Sequence, residues 1–265
     1  IGSPWPKGVK TEPKILCITY TISKYHKTKV KAQKHTWASR CDGFIVISDT
    51  DDFVVPSVKV PHQGPEEYNN IWQKVRAAWK YVYYHYRDEF DWFYMGGDDT
   101  YVIVENLRKY LLSQEIQQAH KHGKLPLYLG RRFKPKDGNI FNSGGAGHVL
   151  NRRALEILTL SLDSQFCNPN LKGFWEDVQV AKCLRHHGVY PYDTRDDWGR
   201  ERFLPFAPGH HYKYRVPPKP DWYANYAIGL KTGEDCCSHE AISFHYIQPD
   251  KMRKIHAHLY YCWPP

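Results

Sequence analysis

The chain has 265 residues, of which 42% are hydrophobic, and this is enough for a globular core in one large domain or two small ones. No apolar run is long enough to span a bilayer, and nothing at the N-terminus has the pattern of a signal peptide. The formal charge of +9 predicts an anionic partner, but it does not choose among nucleic acid, a membrane surface and phosphorylated small molecules.

Aromatic residues make up 15% of the chain, with 20 Tyr and 9 Trp. Such an excess is typical of sugar-binding sites and of platforms for single-stranded nucleic acid. The stretch richest in lysine, Lys24 to Lys34, spreads its charges over about three helical turns, which predicts a solvated helix face. No longer basic cluster and no nucleic-acid motif is present, so the sequence does not favour a nucleic-acid partner.

Seven cysteines are present, and none forms a Cys-x-x-Cys pair, which argues against a zinc ribbon or a thioredoxin-like motif. Two disulfides are predicted, one between Cys17 and Cys41 and one between Cys167 and Cys183. Cys236 and Cys237 could bond to each other or to Cys262. The cysteines therefore favour an oxidising compartment.

The first part of the chain predicts strands that alternate with helices. Lys14 to Tyr20 and Gly43 to Ser48 are compact apolar runs typical of buried strands, and a helix from about His26 to Ser39 separates them. Val54 to Val60 predicts a weaker strand, which Pro56 confines to the edge of a sheet.

The strongest helix pattern follows Gly64-Pro-Glu-Glu67, where a proline at the first position and acidic residues in the first turn predict a helix start. Its apolar residues recur at spacings of 3 and 4, and they are Trp72, Val75, Trp79, Val82 and Tyr86. Trp92 to Met95 then predicts a short buried strand, followed by a helix that ends near Leu112.

The remaining chain has shorter elements. Strands are predicted at 126–130 and 241–247, with a helix at 178–184 and an irregular stretch, rich in Pro, His and aromatic residues, from 188 to 226. The glycine-rich run 142–147 lacks the endings of a phosphate loop and predicts a floor that another chain or a sugar approaches closely. No linker or repeat is found, so one domain is expected over 13–265, after a stem or cloning remnant at 1–12.

Two carboxylates, Asp98 and Asp99, follow the predicted strand 92–95 directly. Ligands of open α/β sheets bind at the carboxyl ends of strands, and adjacent carboxylates repel each other unless a cation lies between them. Mg²⁺ or Mn²⁺, carried in with a diphosphate, suits such oxygen ligands. A turn with solvated side chains is the alternative interpretation.

Another acidic pair, Glu176 and Asp177, precedes the predicted helix at 178–184. Acids at a helix N-terminus are common capping residues, so a structural role is the simpler interpretation from the residues alone. His245, in the closing strand, is likewise an ordinary strand histidine when considered by itself.

Taken together, these stretches resemble one family, the β-1,3-glycosyltransferases that include fringe and, most closely, the core 1 β-1,3-galactosyltransferases. The resemblance covers nearly the whole chain, and its order and spacing carry it more than any single motif. The matching pieces are Thr36-Trp-Ala-Ser-Arg-Cys41, Asp91-Trp-Phe, Asp98-Asp-Thr-Tyr-Val102, Glu105-Asn-Leu-Arg108, Gly130-Arg-Arg-Phe-Lys-Pro135, Ser143-Gly-Gly-Ala-Gly147, Glu176-Asp177, Asp193-Thr-Arg-Asp196, Trp222-Tyr223, Cys236-Cys-Ser238 and Ser243-Phe-His-Tyr246.

The resemblance implies a single GT-A domain, a Rossmann-like α/β fold with a mostly parallel central sheet, that uses a UDP-sugar and Mn²⁺ or Mg²⁺. It implies that Asp99 and His245 bind the metal and that Asp177 is the catalytic base of an inverting transfer. The family's metal motif is Asp-Asp-Asp, and the first of these positions is Gly97 in this chain. The donor therefore does not follow from the motif alone.

The remaining expectations concern the binding of the two substrates. Asp98, which matches the middle position of the family motif, Lys74 and Thr21 are expected to bind the donor, with a basic residue of the 131–136 loop as an alternative second cation. The expected acceptor-binding residues are Trp175, Glu176, Gly145 and Tyr223.

The expected reaction is transfer of a sugar, galactose by preference, to a glycan acceptor such as O-linked N-acetylgalactosamine on a glycoprotein. The expected location is the Golgi lumen, with a membrane anchor outside this sequence, and a homodimer is left open. The alternatives are another UDP-sugar donor or acceptor, and a catalytically inactive chaperone or lectin on the same fold.

Overall fold

A computed structural model describes residues 12–262, so the expected stem or remnant lies, except for Glu12, outside the described residues. The strands in chain order are β1 Ile15–Tyr20, β2 Gly43–Ser48, β3 Ser57–Lys59, β4 Trp92–Gly97, β5 Tyr101–Val102, β6 Tyr128–Gly130, β7 Arg132–Phe133, β8 Phe141–Asn142, β9 His148–Asn151, β10 Phe203–Leu204 and β11 Ser243–Phe244. The α-helices are α1 Lys31–Lys34, α2 Ile71–Tyr86, α3 Val104–Leu112, α4 Gln114–Ala119, α5 Arg152–Ser161, α6 Glu176–His186, α7 Pro208–Lys213, α8 Trp222–Tyr226 and α9 Pro249–Tyr260.

The central sheet of the described range has six strands in the order β3-β2-β1-β4-β9-β6. The pairs β3-β2, β2-β1 and β1-β4 are parallel, whereas β9 runs antiparallel to both β4 and β6. The predicted α/β fold with a mostly parallel central sheet is therefore confirmed. The strand broken by Pro56 forms the edge of this sheet, as predicted.

Both faces of the sheet are covered, which explains why its strands are continuous apolar runs. Along β1, Leu16 and Ile18 contact one buried cluster, which includes α2, α5 and α6. Ile15 and Cys17 point to the opposite face and contact a second cluster, which includes α3 and α9. The alternation follows from the two-residue period of a strand.

The helix predicted from His26 to Ser39 is wrong as a continuous element. The chain forms a π-helical turn over His26–Val30, then α1, then a 3-10 turn over Trp37–Arg40. Thr36 interrupts the helix because its φ and ψ of −124° and −112° are not helical. The Trp37 indole then donates a hydrogen bond to the Thr100 carbonyl at 3.1 Å, which ties this segment to the end of β4.

Two other boundaries and one missed helix also differ from the prediction. Helix α2 begins at Ile71 and not at Pro65, because the Asn70 side chain donates to the carbonyls of Gln63 and Pro65 and holds that segment as a loop. The closing strand is limited to β11. Helix α9 was not predicted, although Pro249 at its start is a helix signal.

The cysteine pairs Cys17–Cys41 and Cys167–Cys183 are disulfide-bonded, as predicted. Cys236 bonds to its neighbour Cys237, which decides between the two alternatives, and Cys262 is a free, exposed thiol. Among residues 12–262, no helix combines the length and the apolar character needed to cross a membrane.

Candidate active site

The site forms where β1 and β4 end side by side. Tyr20 is paired with Gly97 in the parallel register, so the next residues of both strands, Thr21 and Asp98, leave the sheet together. The Thr21 hydroxyl donates to Asp98 Oδ2 at 2.5 Å. These residues line a cavity of about 880 Å³, at the sheet edge where open α/β folds bind ligands.

Asp99 and His245 form a pair on the wall of this cavity. Their Oδ1 and Nε2 atoms are 3.3 Å apart, although the residues are far apart in sequence. Burial alone would raise the pKa of Asp99, but the hydrogen bond and charge of His245, with a smaller contribution from Lys29, hold that pKa below its usual value. The next residue, Tyr246, has a φ of 57°, a conformation that is uncommon outside glycine.

This pair could bind a divalent ion, because a carboxylate oxygen suits Mn²⁺ or Mg²⁺ and an imidazole nitrogen is a common ligand of first-row transition metals. Within residues 12–262, no group of three or more His, Cys, Asp or Glu side chains is arranged to hold a metal. The protein would therefore supply two ligands, and a diphosphate or water would supply the others, as is common for Mg²⁺ sites.

Two lysines approach the same end of the cavity. Lys74, expected to bind the donor, is buried, and its ammonium donates to the Thr21 carbonyl and, at 2.6 Å, to Glu66 Oε1. Lys29 was not predicted as a site residue, yet its ammonium lies 2.8 Å from Asp98 Oδ1. Burial would lower the pKa of Lys29, but the hydrogen bond and charge of Asp98 raise it.

Lys29 therefore corrects the prediction that Lys24 to Lys34 is a purely solvated face. The other candidate cations do not reach the site. Arg131 is buried in an ion pair with Glu201, and Arg132 forms an ion pair with Asp193 at 2.5 Å. In the described part of the 131–136 loop, Phe133 is the residue that lines the cavity.

Asp177 lines the same cavity, from the first turn of α6. Its Oδ2 accepts a hydrogen bond from the Gly144 amide at 2.9 Å, and its Oδ1 accepts one from the Val178 amide at 2.8 Å. Burial raises the pKa of Asp177, and these amides partly oppose that shift. A carboxylate with a raised pKa binds a proton more readily, which suits it to act as a base.

Glu176 is more deeply buried, with 5% of its surface exposed. Burial, followed by the charge of Asp177, raises the pKa of Glu176 well above its usual value. The two neighbouring carboxyl groups therefore have different environments, which is the arrangement expected when such groups have different roles.

The glycine-rich run packs between these groups, as the predicted floor requires. A Cβ atom on Gly144 would overlap the Glu176 carboxyl, and one on Gly145 would lie 2.3 Å from His245 Nδ1. Gly145 lines the cavity and Gly144 supports the acidic pair, so this segment connects His245 with Glu176 and Asp177. Glycine is required at these two positions because side chains approach the backbone closely, and not because the backbone has an unusual φ angle.

Aromatic rings border the side of the cavity next to Asp177. Trp175 is 50% exposed, its ring lies 4.2 Å from that of Phe174, and Phe174 stacks on Tyr68 at 6.0 Å. Such flat faces suit sugar rings. The structure agrees with an exposed ring at Trp175 and shows a wider aromatic wall than the sequence predicted.

Tyr223 is not placed as expected. Only 3% of its surface is exposed, and its ring packs against Phe133 and Phe206, because helix α8 directs this side of its turn into the protein. Trp222, the preceding residue, is 52% exposed and lines the cavity instead. The Trp-Tyr pair in the sequence did not reveal which ring faces outward.

A model of the Fringe-like family matches residues 11–193. The chain belongs to the Fringe-like family. The match includes Asp98, Asp99 and Asp177, whereas His245 lies beyond it and joins the site through the fold. The family resemblance stated from the sequence is confirmed, and the fold is of the GT-A type.

The chain is similar in sequence to three named proteins. The chain is 34% identical over 250 residues to glycoprotein-N-acetylgalactosamine 3-beta-galactosyltransferase 1 of Xenopus laevis, and the match covers 94% of this chain and 66% of that protein. It is 24% identical over 197 residues to human chondroitin sulfate synthase 3, covering 66% of this chain and 21% of the synthase. It is 25% identical over 184 residues to the mouse beta-1,3-glucosyltransferase, covering 68% of this chain and 35% of that enzyme. The chain thus spans less than two thirds of each relative.

Proposed function

We infer that this member of the Fringe-like family is an inverting, metal-dependent β-1,3-glycosyltransferase. Its proposed donor is a UDP-sugar, most simply UDP-galactose, and its proposed acceptor is a hydroxyl of O-linked N-acetylgalactosamine. The observation that carries this proposal is that the Asp99–His245 pair and Asp177 line one cavity. The 34% identity to the frog galactosyltransferase over 94% of the chain supports the choice of sugars.

The proposed reaction is a single displacement. The acceptor hydroxyl oxygen attacks the anomeric carbon, the bond from that carbon to the diphosphate breaks, and its electron pair leaves with UDP. Asp177 takes the hydroxyl proton as the new glycosidic bond forms. The amides of Gly144 and Val178 hold both Asp177 oxygens, which orients the base before the acceptor arrives.

The residues around Asp99 would hold the diphosphate. Asp99 and His245 are the proposed ligands of Mn²⁺ or Mg²⁺, which when bound would offset the negative charge developing on the departing diphosphate. Lys29 is partly exposed at the cavity and already orders Asp98, so it is placed to attract the anionic donor. The buried Lys74 ammonium donates a hydrogen bond to the Thr21 carbonyl and thereby positions Thr21 beside Asp98.

Acceptor binding is assigned to the residues around Asp177. Trp175 and Trp222 offer exposed rings, which can stack on sugars, and Glu176 and Gly145 line the same cavity. The disulfides formed by the described cysteines require an oxidising compartment, which supports the Golgi lumen as the place of action.

A different UDP-sugar donor is a second candidate, and Gly97 favours it. This residue stands where the family motif has its first aspartate, and a Cβ at Gly97 would meet Asp99 Oδ1 at 3.3 Å and Tyr20 no closer than 3.8 Å. Even a Cβ here would press closely on Asp99, and the missing carboxylate removes one negative charge beside that residue. The 25% identity to the mouse beta-1,3-glucosyltransferase is consistent with a donor other than UDP-galactose.

The test is a donor screen that measures UDP release. UDP-galactose, UDP-glucose, UDP-N-acetylglucosamine and UDP-N-acetylgalactosamine are compared with and without Mn²⁺ and a peptide carrying O-linked N-acetylgalactosamine. Peptide-stimulated, Mn²⁺-dependent turnover of UDP-galactose is the expected result. Turnover of another donor would retain the mechanism and change the specificity, and neither turnover nor UDP binding would identify an inactive relative.

A further inference from the structure

The two neighbouring carboxyl groups of the active site receive very different support from the protein. Asp177 accepts hydrogen bonds from two backbone amides, at 2.9 Å and 2.8 Å. Glu176 Oε2 is buried and has no hydrogen-bond partner among the described residues. Its other oxygen lies so close to Gly144 that a Cβ atom there would be displaced.

The surroundings of Glu176 contain acids rather than cations. Burial and the charge of Asp177 raise the pKa of Glu176, and a hydrogen bond from the Tyr20 hydroxyl only partly opposes that shift. The Glu176 charge in turn acts on Tyr68 and Tyr128. These side chains come from α6, β1, the turn before α2 and β6, and none of them carries a positive charge. One hydroxyl donor does not replace the cation or the amide donors that a buried ionised carboxylate needs, so the charged form is disfavoured.

We propose that Glu176 is a positioning residue that remains a neutral carboxylic acid, so that the pair carries one negative charge, located on Asp177. The proposal rests on the proposed function, because it takes Asp177 as the base. The N-terminus of α6 favours a negative charge, and the amides assign that charge to Asp177. A neutral neighbour avoids a second charge that would repel the anionic donor.

The protonated Glu176 also has a structural task. It fills the space under Gly144, the residue whose amide holds Asp177 Oδ2 at 2.9 Å. A shift of this segment would move the base relative to the acceptor, and misplacement by about 1 Å can cost about 100-fold in rate. We therefore expect that the side chain at position 176 must have the volume and the hydrogen-bonding groups of glutamic acid, but need not carry a negative charge.

The first test measures protonation directly and does not depend on turnover. Infrared spectra of the whole chain at neutral pH should show the carbonyl stretch of a buried protonated carboxyl group. That band should disappear in Glu176→Gln and persist in Asp177→Asn. Absence of the band, or its loss in Asp177→Asn alone, would overturn the proposal even if the enzyme has a different substrate.

The second test uses kinetics. Glu176→Gln keeps the size and polarity of the side chain, so it should turn over faster than Glu176→Ala by about tenfold or more. The acidic limb of its pH profile should keep the wild-type midpoint, because no charge beside Asp177 has been removed. A midpoint shifted to lower pH would show that Glu176 is ionised and would refute its neutral state.

The two proposals can fail separately. If the infrared band behaves as expected but no UDP-sugar is turned over, the neutral Glu176 stands and the proposed reaction fails. If turnover is normal in Asp177→Asn and lost in Glu176→Gln, Glu176 is the base and both assignments are overturned. If Glu176→Gln does not fold, the spectra of the wild type and Asp177→Asn across pH still decide the protonation state.

Discussion

Gly145→Ala is the sharpest perturbation of the proposed metal-binding pair. A Cβ atom at this position would lie 2.3 Å from His245 Nδ1 and 2.4 Å from Cε1, whereas ordinary contacts begin at 3.4 Å. The imidazole must therefore retreat by about 1 Å, and a displacement of that size at a reacting centre can cost about 100-fold in rate. His245 would also leave Asp99, which lies 3.3 Å from it.

The assay is UDP release over a series of Mn²⁺ concentrations. Gly145→Ala should need more Mn²⁺ for half-maximal turnover and lose about 100-fold in kcat/KM. Steric overpacking of this kind costs about 1–3 kcal/mol of stability, so denaturant unfolding should show a folded protein. The matched control is Gly209→Ala, because an added Cβ at Gly209 meets nothing within 4 Å. Normal turnover with normal Mn²⁺ dependence in Gly145→Ala would refute the role of His245.

Other positions allow further tests. Asp177→Asn should lose about 100- to 10,000-fold in turnover while calorimetry shows unchanged UDP binding, and near-normal turnover would remove this residue from the role of base. Because burial raises the pKa of Asp177 and the base must be ionised, wild-type kcat should fall with decreasing pH at a higher pH than for an ordinary aspartate; a profile flat through the acidic range would contradict this. Lys29→Met should raise the KM for the donor by about tenfold, the effect of one charge-assisted hydrogen bond, and the exposed Lys27→Met should not; equal KM values would exclude Lys29 from donor binding. Replacing both Cys17 and Cys41 by serine opens a loop with a sequence separation of 24 and should lower the free energy of unfolding by about 3 kcal/mol, as measured by urea denaturation; an unchanged midpoint would show that this bridge does not stabilise the fold.

The proposed mechanism explains why one cavity holds two unlike sets of groups. Lys29 and the Asp99–His245 pair suit a diphosphate and a divalent ion. Asp177 and exposed rings such as Trp175 suit a sugar hydroxyl and a sugar face. Donor and acceptor can therefore enter one cavity without competing for the same groups.

Much of the central sheet could be predicted because its signals are local. The strands β1, β2 and β4 are continuous apolar runs, and a parallel sheet covered on both faces requires such runs. The position of Asp98 and Asp99 at a strand exit followed from the same pattern. Helix α2 was clear along its length, but its start was misplaced because Asn70 holds the preceding proline segment as a loop.

Contacts between distant parts of the chain were not predictable from local pattern. Lys29 belongs to a lysine-rich stretch that looks solvated, and only the packing of the broken helix against β4 brings its ammonium to Asp98. Trp222 and Tyr223 are adjacent aromatic residues, and only helix α8 decides that the first faces the cavity while the second is buried. Spacing along the sequence contains no information about either choice.

The sequence by itself determined the family, the α/β architecture and the types of side chain available for chemistry, since apolar periodicity and motif order are properties of the chain. The tertiary structure decided which of these side chains meet. Asp99 and His245 come from distant segments, and the Gly144 amide donates a hydrogen bond to Asp177, which also lies far from it in sequence. It also decided the unequal environments of Glu176 and Asp177, because burial and the supply of backbone amides are set by packing, and packing depends on residues far apart in sequence.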